Sequence, residues 1–181
     1  MTILMYVAIV LAVLIAVVVV LAAMRPDTFR VQRSIDINAP ADKIFPLIND
    51  YKNWGMWSPY EHIDPAMQRT FSGAPSGKGS IYEWRGNKNI GHGRMEILDT
   101  APPSKVVIKL DFFSPFEAHN MAEFTMRPKG SATNVTTNVT WAMHGPVPFM
   151  AKIIHMFMNM DRMVGGQFQQ GLVSMKAVAE K

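Results

Sequence analysis

The sequence predicts an α+β domain preceded by one transmembrane helix. Three observations carry that prediction: an uncharged apolar run at the N-terminus, a middle section that alternates and turns like an antiparallel meander, and a C-terminal stretch with helical period. The first 24 of 181 residues hold no charged side chain, and from Ile3 to Met24 only Tyr6 departs from an aliphatic, Ala or Met composition. At about 1.5 Å per residue such a helix reaches roughly 30 Å, the thickness of a hydrocarbon core. A cleaved signal peptide is the competing reading, because Ala22 and Ala23 are small residues near its end. Against it, no Lys or Arg precedes the run, and the run exceeds the roughly 7–15 residues of a signal core. The expected organisation is therefore an anchor over residues 1–25 and a single domain over 26–181. Arg25, Arg30 and Arg33 follow the span closely, which by the positive-inside rule puts the domain in the cytoplasm.

Residues 28–37 alternate, with Phe29, Val31, Ile35 and Ile37 against Arg30, Gln32, Ser34 and Asp36, as a half-buried strand does. Asn38 to Asp42 reads as a helix start, and Ile44, Phe45, Leu47 and Ile48 share one face behind it. Tyr51, Trp54, Trp57 and Tyr60 then crowd a short helix that passes into a loop, either as a plug against the sheet or as a lid. Six further strands are expected at 68–72, 80–85, 91–100, 105–113, 117–127 and 133–144. Gly73–Gly77, Gly86–Asn89, Ala101–Pro103, Ser114–Phe116 and Pro128–Ser131 punctuate them. From Pro148 to Glu180 the apolar residues Phe149, Ile153, Phe157, Met160, Val164, Phe168, Leu172 and Met175 recur at spacings of three and four. That is one long amphipathic helix, with Gly165-Gly166 as the expected kink.

This order of elements resembles the START/Bet v 1-like (SRPBCC) superfamily, in particular its polyketide cyclase/dehydrase-like branch. The likeness runs from Phe29 to Ala179. Its local carriers are Val31-Gln32-Arg33-Ser34-Ile35-Asp36-Ile37 followed by Ala39-Pro40, then Trp54 to Pro59, Tyr82-Glu83-Trp84, and Phe149-Met150 opening the last helix. The resemblance implies a helix-grip fold, a seven-stranded curved antiparallel sheet around a long C-terminal helix. It also implies a deep cavity that takes a hydrophobic small molecule or lipid. Fold alone does not decide between transport, sensing and catalysis.

Strand parity names the side chains that would line such a cavity. Val106, Ile108, Leu110 and Phe112 share a face, as do Ala118, Asn120, Ala122, Phe124 and Met126, and Val135, Val139, Trp141 and Met143; Tyr82, Trp84, Met95 and Ile97 join them. By periodicity alone this set reads as an ordinary core; the resemblance turns the reading towards a cavity. The expected ligand-binding residues are Tyr82, Trp84, Met95, Phe112, Asn120, Phe124, Trp141 and Met143, with Phe157 and Met160 from the terminal helix. Asn120 and the Tyr82 hydroxyl are the polar handles, since an inward polar group needs a partner. The 15 methionines, among them Met156, Met158, Met160 and Met163, suit a wall that repacks around irregular ligands.

Other chemistries find little support. All 18 Lys and Arg and all 14 acidic residues follow Met24, so the net charge of +4 is a mild property of the soluble part. No basic tract with interleaved aromatics appears, which argues against nucleic acid and favours a surface near anionic lipid. Without cysteine there is no disulfide, thiol nucleophile or thiolate metal site. The five histidines offer no metal-ligand spacing; His92 and His119 fall on outward parity and His155 on a polar helix face. Glu83, Glu96, Asp111, Glu117 and Glu123 also fall outward, and no serine elbow or phosphate loop occurs. No catalytic residue, cofactor or protein partner is named by the sequence. The expected function is a membrane-anchored carrier or sensor of a hydrophobic small molecule or lipid. Its alternatives are a cyclase-like or hydrolase-like enzyme, with Tyr82, Glu83 or Asn120 orienting a substrate, and a membrane-tethered interaction module.

Overall fold

A computed structural model describes residues 2–131, 134–157 and 159–181, with the side chains of all but 130, 131 and 134. Helix α1 (Thr2–Ala23) is long and apolar enough to cross a membrane, a property it shares with signal sequences, and Ala22 is its one buried residue. After a short connection come β1 (Thr28–Ile37), α2 (Ala41–Asn49) and two 3-10 turns, Tyr51–Met56 and Pro59–His62. Then follow β2 (Gln68–Gly73), β3 (Ser80–Arg85), β4 (His92–Ala101), β5 (Lys105–Ser114), β6 (Ala118–Ser131), β7 (Asn134–Pro146), α3 (Phe149–Phe157) and α4 (Met160–Ala179). All seven strands form one antiparallel sheet, in the order β1-β7-β6-β5-β4-β3-β2. The sheet holds α2 and α4 against its inner face, which is the helix-grip arrangement.

The alternation that predicts the strands also decides what they bury. Ser80, Tyr82 and Trp84 on β3, Met95 and Ile97 on β4, and Val106 and Ile108 on β5 all turn inward. The apolar ones meet Ile44 and Ile48 of α2 and Phe168, Leu172, Met175 and Ala179 of α4 in one core. Fully burying each such side chain contributes about 1.5–3 kcal/mol.

The structure departs from the sequence-based expectation at two places. Pro128–Ser131 is not a turn: β6 continues to Ser131, paired with Asn134, and the expected strand start at Thr133 lies outside the described residues. Pairing with β5 ends at Thr125, so Pro128 sits on an open edge, where a missing N–H is tolerated. Val135, near that hairpin, is exposed rather than inward.

The second departure is the terminal helix, which breaks before Met160 and not at Gly165-Gly166. Asn159 caps α4, its Oδ1 accepting from the Arg162 N–H at 2.9 Å. Gly165 serves a close approach instead. Arg33 lies over it and forks onto Asp161 at 2.9 and 2.8 Å, and a Cβ at 165 would collide with the guanidinium. At the other end of α4 the Lys176 ammonium donates to the Asp36 carbonyl at 2.7 Å. Both ends of α4 are thereby tied to β1.

Candidate functional site

A cavity of about 200 Å³ lies between the sheet, the first half of α4 and the segment carrying the 3-10 turns. Its volume is of the same order as the ~150 Å³ apolar cavity that holds benzene in an engineered protein, and smaller than the ~300–1,000 Å³ of drug-sized pockets. Its strand walls are Tyr82, Trp84, Met95, Leu110, Phe112, Ala122, Trp141 and Met143. Val164 and Phe168 close the helix side, and Trp54, Ser58, Tyr60, Glu61 and Met67 close the top. The space exists because rigid aromatic rings meet at their edges: Trp84 stands at 78° to Phe112, with centroids 5.8 Å apart. Gly93 makes room for this, since a Cβ there would strike the Trp84 ring.

One corner is polar. The Tyr82 hydroxyl donates to Glu61 Oε1 at 2.6 Å, and Arg69 Nε donates to Glu61 Oε2 at 2.8 Å. Burial pushes the Tyr82 phenol far above its ordinary pKa, and the Glu61 hydrogen bond pushes the same way, so the group is a donor throughout the physiological range. Ser58 Oγ, fully buried on the cavity wall, has no hydrogen-bond partner among the described residues. A buried hydroxyl left open costs free energy unless water or a ligand meets it. The corner can thus orient one polar group of an otherwise apolar molecule.

The sequence-predicted site residues divide in two. Tyr82, Trp84, Met95, Phe112, Trp141 and Met143 line the cavity. Asn120 is inward and buried, but its amide lies over Gly145, away from the space. Phe124 is sealed behind Trp54, Trp57 and Trp141. Met160 is half-buried and outside the lining, and Phe157 is 77% exposed. The break after Phe157 redirects the chain, so the face containing Phe168 does not extend back to Phe157. Met158 lies outside the described residues. Glu83 points away from the cavity and meets His92 Nε2 at 3.0 Å. Glu96, Asp111 and Glu123 likewise pair with cations on the strands' other face: Arg94, Lys109 and Lys105.

Trp54 and Trp57 pack as a plug. Their indole N–H groups donate to the Ile48 and Leu47 carbonyls at 3.0 and 2.7 Å, and Trp57 is 1% exposed. Trp141 stacks on Phe168 with centroids 4.0 Å apart, and Gly171 lets α4 approach that ring. Sequence reasoning missed Ser58, Glu61, Met67 and Ile90, and it put Phe157 and Met160 rather than Val164 and Phe168 on the helix side of the cavity. The first four come from loops and a single 3-10 turn, too short to show a period; their only signal was an acid and a serine beside clustered aromatics.

Comparison with known proteins agrees with the fold. No curated protein matches the chain. Among solved structures, ginseng major latex-like protein 151 from Panax ginseng is similar at 14% identity and a TM-score of 0.58, covering 86% of this chain and 100% of that one. A Thermobifida fusca protein solved by NMR gives 18% identity and a TM-score of 0.59 over 83% of this chain and 92% of its own. The di-domain ARO/CYC BexL of the BE-7585A biosynthetic pathway gives 12% and 0.58, over 90% of this chain and 53% of that one. At these identities the likeness is one of fold. The family described as polyketide cyclase / dehydrase and lipid transport matches residues 28–180, and the chain belongs to that family.

Proposed function

We propose that this chain is a membrane-anchored binding domain, a carrier or sensor of a hydrophobic small molecule or lipid. Residues 1–25 act as the anchor and 26–181 as the ligand domain, held on the cytoplasmic side by Arg25, Arg30 and Arg33. The observation that carries this reading is an apolar, aromatic cavity with a single polar corner at Ser58, Glu61 and Tyr82. An anchor suits the task, because a ligand dissolved in the bilayer is concentrated beside a cavity that does not diffuse away.

The test is uptake of an environment-sensitive apolar fluorophore by the full-length protein in nanodiscs, comparing Trp141→Ala with Phe45→Ala. Trp141 lines the cavity, whereas Phe45 packs from α2 outside it. Uptake that changes in Trp141→Ala alone supports a ligand site. No uptake by any of the three proteins overturns it. A cyclase-like enzyme is the second reading, favoured by the Glu61–Tyr82 pair facing the cavity. It requires that a bound polyketide-like substrate be converted, and that Glu61→Gln abolish conversion while leaving binding intact.

A further inference from the structure

The sheet register gives this domain a membrane end. Thr28, four residues after Met24, pairs with Pro146, so the chain leaves α1 and enters α3 at the same end of the sheet. The β5–β6 turn is at that end too, and its Phe116 is 76% exposed. Helix α3 packs against α1. The Lys152 ammonium, itself buried, meets Asp27 Oδ1 at 2.6 Å, and His155 sets its ring edge-on to Phe29. These contacts fix α3 beside the point where α1 ends.

One face of α3 is apolar and exposed. Met150, Ile154 and Phe157 follow one another at spacings of four and three, and are 68%, 42% and 77% exposed. Phe149, Ile153 and Met156 flank them, so at ~100° per residue apolar side chains fill about half of the circumference. At nine residues α3 is too short to cross a bilayer. A short helix with one broad apolar face, continuous with a span, has the character of an interfacial helix.

Resting on the reading of α1 as an anchor, we propose that α3 lies in the lipid–water interface with Met150, Ile154 and Phe157 among the acyl chains. The occupant of this face is the bilayer itself, because α3 packs against α1, a helix long and apolar enough to enter it. The consequence concerns the cavity. Tyr82, Met95 and Leu110 share a rung of the sheet with Phe29, and Trp84 and Phe112 lie one rung closer to the α1 end. With α3 seated, the hollow end of the domain faces the membrane, and an apolar ligand enters from lipid.

The chain has no cysteine, so single reporters can be placed in the full-length protein. Met150→Cys, Phe157→Cys and Val173→Cys, the last an exposed site on α4, would each carry an NBD label in phosphatidylcholine/phosphatidylglycerol vesicles. The expected result is blue-shifted emission at 150 and 157, quenched severalfold by nitroxides on the lipid acyl chains, and water-like emission at 173. Water-like emission at 150 and 157 overturns the inference; so does a blue shift without lipid quenching, which would put protein over the face. Intact mass and carbonate-resistant membrane retention of the same samples test the anchor separately. A chain that stays integral but reports water at α3 refutes this inference alone. A mature N-terminus near residue 24 removes the anchor and this inference with it.

Discussion

The two ends of the sheet's inner face are written with the same alternation of apolar residues, yet one is solid and the other hollow. At the end away from α1, Ile37, Val106, Phe124, Met126 and Val139 are at most 1% exposed and share one core with α2 and α4. At the α1 end, Tyr82, Trp84, Met95, Phe112 and Met143 surround about 200 Å³ of space. Hydrophobicity does not separate them. The solid end is closed by α2 and α4 together with the Trp54–Trp57 plug. The hollow end is roofed by the segment from Ser58 to Met67 and walled by rings such as Trp84 and Phe112, and rigid rings leave gaps that aliphatic chains would fill.

That contrast is breakable by substitution. The largest effect is expected for Trp57→Ala, which removes a sealed ring and its hydrogen bond to Leu47: about 3–5 kcal/mol, read by chemical denaturation, with no gain in ligand uptake. Met95→Ala, on the hollow side, should fall at the low end of the ~2–5 kcal/mol range for such truncations, because the side chain already borders space. Its apolar probe uptake should rise. Equal losses at both sites would erase the distinction between the two ends.

Gly93→Ala works in the opposite direction by driving the Trp84 ring into the cavity. A loss of about 1–3 kcal/mol and reduced uptake are expected, measured by thermal shift with and without probe. Tyr82→Phe removes the donor to Glu61 while Arg69 keeps the carboxylate paired. It should cost about 1 kcal/mol and weaken ligands that carry a polar group more than purely apolar ones.

The smallest effect is a pH dependence far from the cavity. His119 is held above its ordinary value of 6.5 chiefly by its hydrogen bond to Asp111. A raised folded pKa contributes stability that is complete below about 6.5 and is lost as pH rises through the folded value. His119 is 57% exposed, so solvent screening keeps it small even though Asp111 is buried. The melting temperature of wild type should fall slightly relative to His119→Gln over that rise; parallel curves would show that the pair contributes nothing.

The sheet was legible because strand parity needs only a local rule, and the rule placed Tyr82, Trp84, Met95, Phe112, Trp141 and Met143 on the correct face. Which inward residues face space was not legible. Phe124 and Trp141 have the same parity and stack on each other, but Trp57 seals the first and only the second reaches the cavity. That difference depends on how residues 51–67 fold over the sheet, and irregular backbone carries no period. Phe157 and Met160 were misplaced for a related reason. Their three-and-four spacing runs straight through Asn159, yet a cap residue followed by Asp161 in the next turn marks a new helix start. Spacing alone ignores that signal.

The central claim is that the hollow end is a site for an apolar ligand rather than a packing defect. Native mass spectrometry of the full-length protein, released from nanodiscs, tests it most directly. The account predicts a bound species of small-molecule or lipid mass on the wild type, depleted in Gly93→Ala, where the Trp84 ring occupies the space. Wild type that appears only at its unliganded mass, and takes up no apolar probe when one is added, would contradict it.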